Sequence, residues 1–359
     1  MNGYEYSFTE NQGEEFDQYS IYTNRAAKSA AKAISRFALA IFLYLVISNA
    51  VVILAELAIF LFMGIDKAEV LLTENVYIQW LLGVGPMYLI GLPIFYLIIR
   101  NMKTFKLPQR KMSFGELFCL FLIGEGFMFV GNYVGNYLNT VISFVLGKEI
   151  TNPTADLVEN SPLWLIALIV VVIGPIVEEL IFRKFMIDRI GKYGAGLALV
   201  LSSVAFGLFH GNFYQFFYAT LLGFILGYVY INSRNVKYTI IMHMLVNFLG
   251  SFVSILIMPA LIKFEELAYA LSEGMEIDIT SFIGSIMAVI SYSIVQYVIC
   301  FSGIIVFINF VRRKKFSLQK ACDVNVPKSR LFEVSVLNVG SILFILFSLF
   351  QFAVSIFAV

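Results

Sequence analysis

Nine apolar runs shape this 359-residue chain, at about 35–64, 77–100, 115–146, 162–187, 195–212, 213–231, 237–258, 281–310 and 332–357. Hydrocarbon offers a backbone no hydrogen-bond partner, so segments of this length must close their own bonds, as helices. The runs do not alternate polar with apolar residues, which excludes a porin-type barrel. With 60% hydrophobic and only 14% charged residues, the chain reads as all-α, a polytopic transmembrane helical bundle of about nine spans. The fifth and sixth runs are divided only by His210, Gly211 and Asn212.

Charge sets the expected orientation. With the N-terminus cytoplasmic, the inner loops collect 22 of the 25 basic residues, as the positive-inside rule requires. The outer loops keep Lys67, Lys148 and Lys263 against eleven acids, among them Glu149, Asp156, Glu159, Glu265 and Glu266. Residues 1–33 form a polar cytoplasmic tail, 34–310 the bundle, 311–331 a basic cytoplasmic linker and 332–359 an extra C-terminal span. The tail is no secretory signal, because its basic residues follow acidic ones instead of leading a short apolar stretch. Cys119, Cys300 and Cys322 are too scattered for a disulfide framework or a thiolate metal site.

Several features read as structure. Pro86 and Pro93 should bend the second span. Gly131 with Gly135, and Gly223 with Gly227, have the small-xxx-small spacing that lets helices approach closely. Asn132, Asn136 and Asn139 share one helical face, and either bond neighbouring helices or line a wet cavity. Glu56 and Glu125 are intramembrane carboxylates expected to be protonated and hydrogen-bonded in a structural role, with Glu125 alternatively able to sit at a cavity edge. Residues 259–280 read as an acidic outer surface loop, and Arg312 to Lys315 as a topology anchor that can touch anionic lipid.

Glu178 and Glu179 stand apart from these. Each carboxylate within the run costs roughly 2.5–3.5 kcal/mol on insertion scales, so the pair needs a function or a partner. The chain has two histidines, and both His210 and His243 fall in apolar runs. His243 and Asn247, at i and i+4, share a helix face. A glutamate in a low-dielectric pocket is suited to take a proton from water near neutral pH. Adjacent residues point about 100° apart, so only one glutamate can face a site fully; Glu178 is favoured as the base and Glu179 as its support or a ligand. Pro175 removes the donor for the carbonyl of residue 171 and opens the helix just before the carboxylates. Arg183 either holds a carboxylate or substrate C-terminus, or is a snorkelling anchor. His243 and Asn247 can donate to a developing oxyanion. Alternatively, Glu178, His210 and His243 have the ligand types for Zn2+ with water in the open position.

Glu178-Glu179-x-x-x-Arg183, Phe206-x-x-x-His210 and His243-x-x-x-Asn247, in this order on successive spans, resemble the three motifs of the CPBP (Abi) intramembrane proteases. That family includes the type II CAAX prenyl endopeptidases and bacteriocin-processing and self-immunity proteins. The motif block covers about 160–255. The resemblance implies peptide-bond hydrolysis within the membrane, with Glu178 and His210 activating water and His243 and Asn247 forming an oxyanion hole. Arg183 and Phe206 are assigned to substrate binding. The expected partners are the lipid bilayer and a membrane-associated or lipidated peptide or protein, with no nucleic acid, at the plasma membrane. A proton-coupled transporter and a non-catalytic bacteriocin-immunity protein are the alternatives.

One tension follows from depth. His210 falls about 15 residues into its run, roughly 22 Å along a helix, while Glu178 and His243 lie toward the basic end. Either the turn near Gly191–Gly196 projects into the cytosol, or the fifth segment enters only partway. The first is expected, with the site opening toward the cytosol.

Overall fold

The computed structural model describes residues 10–105, 109–319 and 326–357. These are helical and contain no strand. In order they are α1 (Glu10–Met63), α2 (Ile65–Glu74), α3 (Val76–Ile99), α4 (Phe114–Leu146), α5 (Pro153–Glu159) and α6 (Leu163–Tyr193), then α7 (Ala195–Phe209), α8 (Phe213–Ser233), α9 (Val236–Ser272), α10 (Ile279–Arg312), α11 (Leu331–Ser335) and α12 (Val339–Phe357). Eight are long and apolar enough to cross a membrane: α1 from Thr23 onward, α3, α4, α6, α8, α9, α10 and α12. Their outward side chains, such as Leu61, Phe62, Phe144 and Leu346, are apolar and exposed. A bundle embedded in lipid places apolar residues there. The protein is an integral membrane protein.

The fifth run departs from expectation. α7 has 15 residues, about 22 Å of helix, and falls short of a hydrocarbon core of about 30 Å. The chain turns back at His210–Asn212, from which α8 begins. The turn before α7 packs against the first helix. Tyr193 is buried, and its hydroxyl lies 2.8 Å from Ser29 Oγ on α1. That contact also bears on the expected tail. The helix is continuous through residue 33, and Ala26, Ala27 and Ala30 are buried against the bundle. Cys322 and Lys106 lie outside the described residues.

α9 likewise outruns its apolar stretch. Residues 259–272, read as loop, continue the helix to Ser272. Apart from Pro259 they are mostly Ala, Leu, Glu, Lys and other ready helix formers, so nothing stops propagation until Gly274.

Close helix approach occurs at both small-xxx-small pairs. A Cβ at Gly131 would fall 2.5 Å from Tyr218 Cα, and one at Gly135 2.6 Å from the Phe213 carbonyl oxygen, which brings α8 against α4. Gly223 does the same for α7, with Ser203 Cα 3.0 Å from its missing Cβ. Of the two readings offered for the asparagines, the cavity wall is seen at Asn132, while the hydrogen bonds of the other two stay within α4. Asn139 is buried and donates to the Gly135 carbonyl at 3.1 Å, Asn136 donates to Asn132 Oδ1 at 2.9 Å, and Asn132 lines a cavity.

Proline shapes the helices that face this cavity. Between Pro86 and Pro93, α3 widens into a π-turn at Met87–Gly91. α6 carries two more, at Ala167–Ile173 and Leu180–Ile187, on either side of the short α-helical piece Gly174–Glu179. π-bulges of this kind collect at functional sites because they redirect side chains.

Candidate active site

The break in α6 can be followed bond by bond. In the π register the Gly174 N–H reaches back to the Ile169 carbonyl. The next acceptor, Val170, would need an N–H from residue 175, which is proline and has none. A bare carbonyl at this depth costs several kcal/mol, and Asn247 Nδ2 satisfies it at 2.9 Å. The freed carbonyl is thus one residue earlier than an α-helical count puts it. Asn247 serves as a strut between α9 and α6 with one of its two amide hydrogens, and its side chain also lines the cavity.

The two glutamates separate cleanly. Glu179 points inward and is 0% exposed, with Oε1 3.1 Å from His243 Nδ1 and Oε2 3.1 Å from Arg183 Nε. Glu178 points into the cavity, keeps 23% of its side chain exposed, and lies 3.6 Å from His243 Nε2 through Oε2.

Arg183 is also 0% exposed and lies 4.5 Å from the centre of the Phe206 ring. Its guanidinium makes no aligned hydrogen bond among the described residues, so its contact with Glu179 is a close ion pair instead. Of the readings open for Arg183, the one seen is that it holds a carboxylate, and the carboxylate belongs to its own helix. Phe206 stands at the centre of this packing. Its ring meets the His210 ring edge-on at 5.0 Å and the His243 ring at 5.6 Å.

Hydrogen-bond partners assign the imidazole protons. His210 Nδ1 lies 2.8 Å from the Phe206 carbonyl oxygen, which only accepts, so Nδ1 carries the proton and Nε2 is left with its lone pair. His243 Nδ1 donates to the Glu179 carboxylate in the same way, which turns Nε2 toward Glu178. His210 is held at the end of α7 by the loop that follows. Gly211 has φ 66, and Asn212 Nδ2 donates to the His210 carbonyl at 2.9 Å. A Cβ at Gly211 would lie 3.0 Å from Gln351 Cβ on α12. Gly211→Ala is therefore expected to cost roughly 1–2 kcal/mol for the left-handed conformation, seen as a lower midpoint in thermal unfolding. An unchanged midpoint would show that the loop is not held in this shape.

Glu178, His210, His243 and Asn247 line one cavity of about 630 Å³. Sequence reasoning did not single out Tyr88, Tyr292 or Gln296, which share its wall. Only Tyr88 left a signal, since it lies between the two prolines of α3. The cavity runs from the glutamates past Ile169, Met258 and Gln296 to Asn152 and Glu159, residues near the acidic ends of their helices. The opening expected toward the basic end is not where it leads. That end is filled by Met186, Ile187, Ile190, Tyr193 and Tyr230, all buried in one cluster. It is also tied by Asp188, whose Oδ1 accepts from Tyr230 at 2.7 Å and from Arg234 at 3.1 Å.

Glu178, His210 and His243 are of the right chemical types for zinc, and each ring is held through Nδ1, as metal-ligating histidines usually are. Among the described residues, however, no three His, Cys, Asp or Glu side chains converge closely enough to enclose an ion. As they stand, the side chains do not fit a metal.

Residues 160–249, which hold all three motifs, match the family model described as "Type II CAAX prenyl endopeptidase Rce1-like". A stretch of 110 residues is 31% identical to the Bacillus subtilis (strain 168) protein named "Putative membrane peptidase YdiL", covering 29% of this chain and 43% of that one. The chain thus spans less than half the length of this curated relative. No solved structure matches the chain. The resemblance first carried by the motifs is borne out across this block.

Proposed function

Starting from an Rce1-like block set in a polytopic membrane protein, we propose that the chain is an intramembrane endopeptidase acting on a membrane-associated or lipidated peptide, as in CAAX-type or peptide-precursor processing. The observation that carries this reading is the division of labour between adjacent carboxylates. Glu178 faces a cavity shared with two imidazoles, while Glu179 stands behind it, neutralised by a buried arginine. A merely structural acidic pair would have no need of an open face.

The reaction follows from the atoms. Glu178, with the lone pair of His210 Nε2 beside it on the wall, takes a proton from water as the water oxygen bonds to the substrate carbonyl carbon. The carbonyl oxygen becomes an oxyanion. Asn247 has one amide hydrogen beyond the one given to Val170, and a protonated His243 Nε2 is a second donor. Glu178 then returns its proton to the leaving nitrogen as the carbon–nitrogen bond breaks. Arg183 acts behind the cavity by holding Glu179, and Phe206, part of the cavity wall, fixes both imidazoles. We place the chain in the plasma membrane with its N-terminus cytoplasmic. The cavity would then be approached from the acidic, outer side or from the lipid between α3, α9 and α10.

The test is cleavage of a lipidated and unlipidated peptide panel by the purified full chain, with metal content measured and a chelator added. Cleavage that survives chelation with little bound metal supports the glutamate–histidine mechanism. One zinc per chain with chelator-sensitive cleavage would replace it with a metal-dependent one. Cleavage of no peptide would overturn the reading.

A further inference from the structure

The same cavity holds a buried carboxylate that the proposed chemistry does not use. Glu125 on α4 is 7% exposed, and its Oε1 is buried without a hydrogen-bond donor among the described residues, yet it lines the cavity wall with Glu178. A buried carboxylate oxygen without a donor carries a large desolvation cost, which a ligand group can remove.

Glu125 is also held where it is. Its neighbour Gly126 lets α4 touch the backbone of α10, where a Cβ would lie 2.9 Å from the Cys300 carbonyl oxygen. Gly124 on its other side faces α8, with Leu222 Cδ1 3.5 Å from where a Cβ would be. With the α10 backbone against one flank and α8 side chains in contact with the other, α4 has little freedom to rotate the carboxyl toward lipid. The nearby polar side chains on the wall are engaged with one another. Gln296 Nε2 donates to Tyr292 Oη at 3.0 Å, and Tyr292 Oη lies 2.8 Å from Ser254 Oγ.

The sign of the cavity points to the ligand. Its described lining includes three carboxylates, Glu125, Glu159 and Glu178, and no lysine or arginine. A low-dielectric cleft of one sign concentrates the opposite charge. We propose that Glu125 is a specificity-determining residue that binds a basic side chain of the peptide substrate, a lysine or arginine at a set distance from the scissile bond. This rests on the endopeptidase reading for what occupies the cavity, but its test does not require cleavage.

The test uses the full chain carrying Glu178→Gln in lipid nanodiscs. Fluorescent peptides have arginine scanned along them, each paired with the citrulline version, which has the same shape without the charge. One position is expected at which arginine binds roughly 30-fold tighter than citrulline, the low end for loss of one partner of a buried charge pair. Adding Glu125→Gln should abolish that ratio and leave citrulline binding unchanged. If Glu125→Gln does not accumulate, Glu125→Asp, which draws the charge back by one methylene, should reduce the ratio. No arginine preference at any position, a ratio indifferent to both substitutions, or no peptide binding would each overturn the proposal. Arginine-selective binding alongside a wild-type chain that cleaves nothing would overturn the protease reading and leave the subsite standing.

Discussion

Glu178→Gln is expected to lower kcat/KM roughly 100- to 10,000-fold while leaving the protein folded, the range that loss of a general base typically removes. The substitution keeps the size of the side chain and removes the group that accepts the proton from water. The structural cost should be small, because Glu178 is part-exposed to the cavity and its nearest ionic contact, with His243, is 3.6 Å long. The measurement is cleavage of the best panel peptide set beside thermal unfolding of the same preparation. Turnover within tenfold of wild type would remove Glu178 from the role of base.

Glu179→Ala should behave in the opposite manner, failing first in stability. It leaves Arg183, 0% exposed, as a buried cation whose close ion partner is gone. Breaking one side of a buried pair costs about 3–5 kcal/mol. It also frees His243 Nδ1 from its acceptor, so the ring loses its orientation. Poor accumulation or a markedly lower unfolding midpoint is therefore expected. The double substitution Glu179→Gln with Arg183→Met, which removes the charge on both sides, should recover much of that stability without restoring activity. An unfolding midpoint for Glu179→Ala equal to wild type would mean that the buried pair does not hold the site together.

The contrast between these neighbours shows where sequence reasoning reached and where it stopped. Two carboxylates in an apolar run are anomalous on energetic grounds alone, and helical geometry requires them to diverge. Which faces inward depends on what surrounds the helix. Glu179 is inside because His243 from α9 and Arg183 from the next turn meet it there. The proline break was visible in the same way. Its exact acceptor was not, because the π register moves the orphan carbonyl to Val170 and a side chain from another helix covers it.

Some basic residues counted for orientation have duties that a charge count cannot see. Arg183, Arg189 and Arg234 are buried. They pair with Glu179, bond the Ile99 carbonyl and bond Asp188 respectively. Their positions at one end of the bundle suit the positive-inside rule, while their energetics belong to the core.

What the sequence by itself determined is the set of properties that hydrocarbon imposes on any chain: helices of spanning length, an end-to-end charge bias, and rare polar residues grouped in three ordered motifs. What only the tertiary structure decided is which of those polar residues face one another. The turn that leads into α7 is packed onto α1 through Tyr193. The cavity leads away from the basic end because apolar side chains fill that end. Glu125 becomes a candidate subsite because α8 and α10 close on the glycines beside it. Each outcome depends on side chains distant in sequence meeting at one depth, and periodicity along a single helix carries no record of its neighbours.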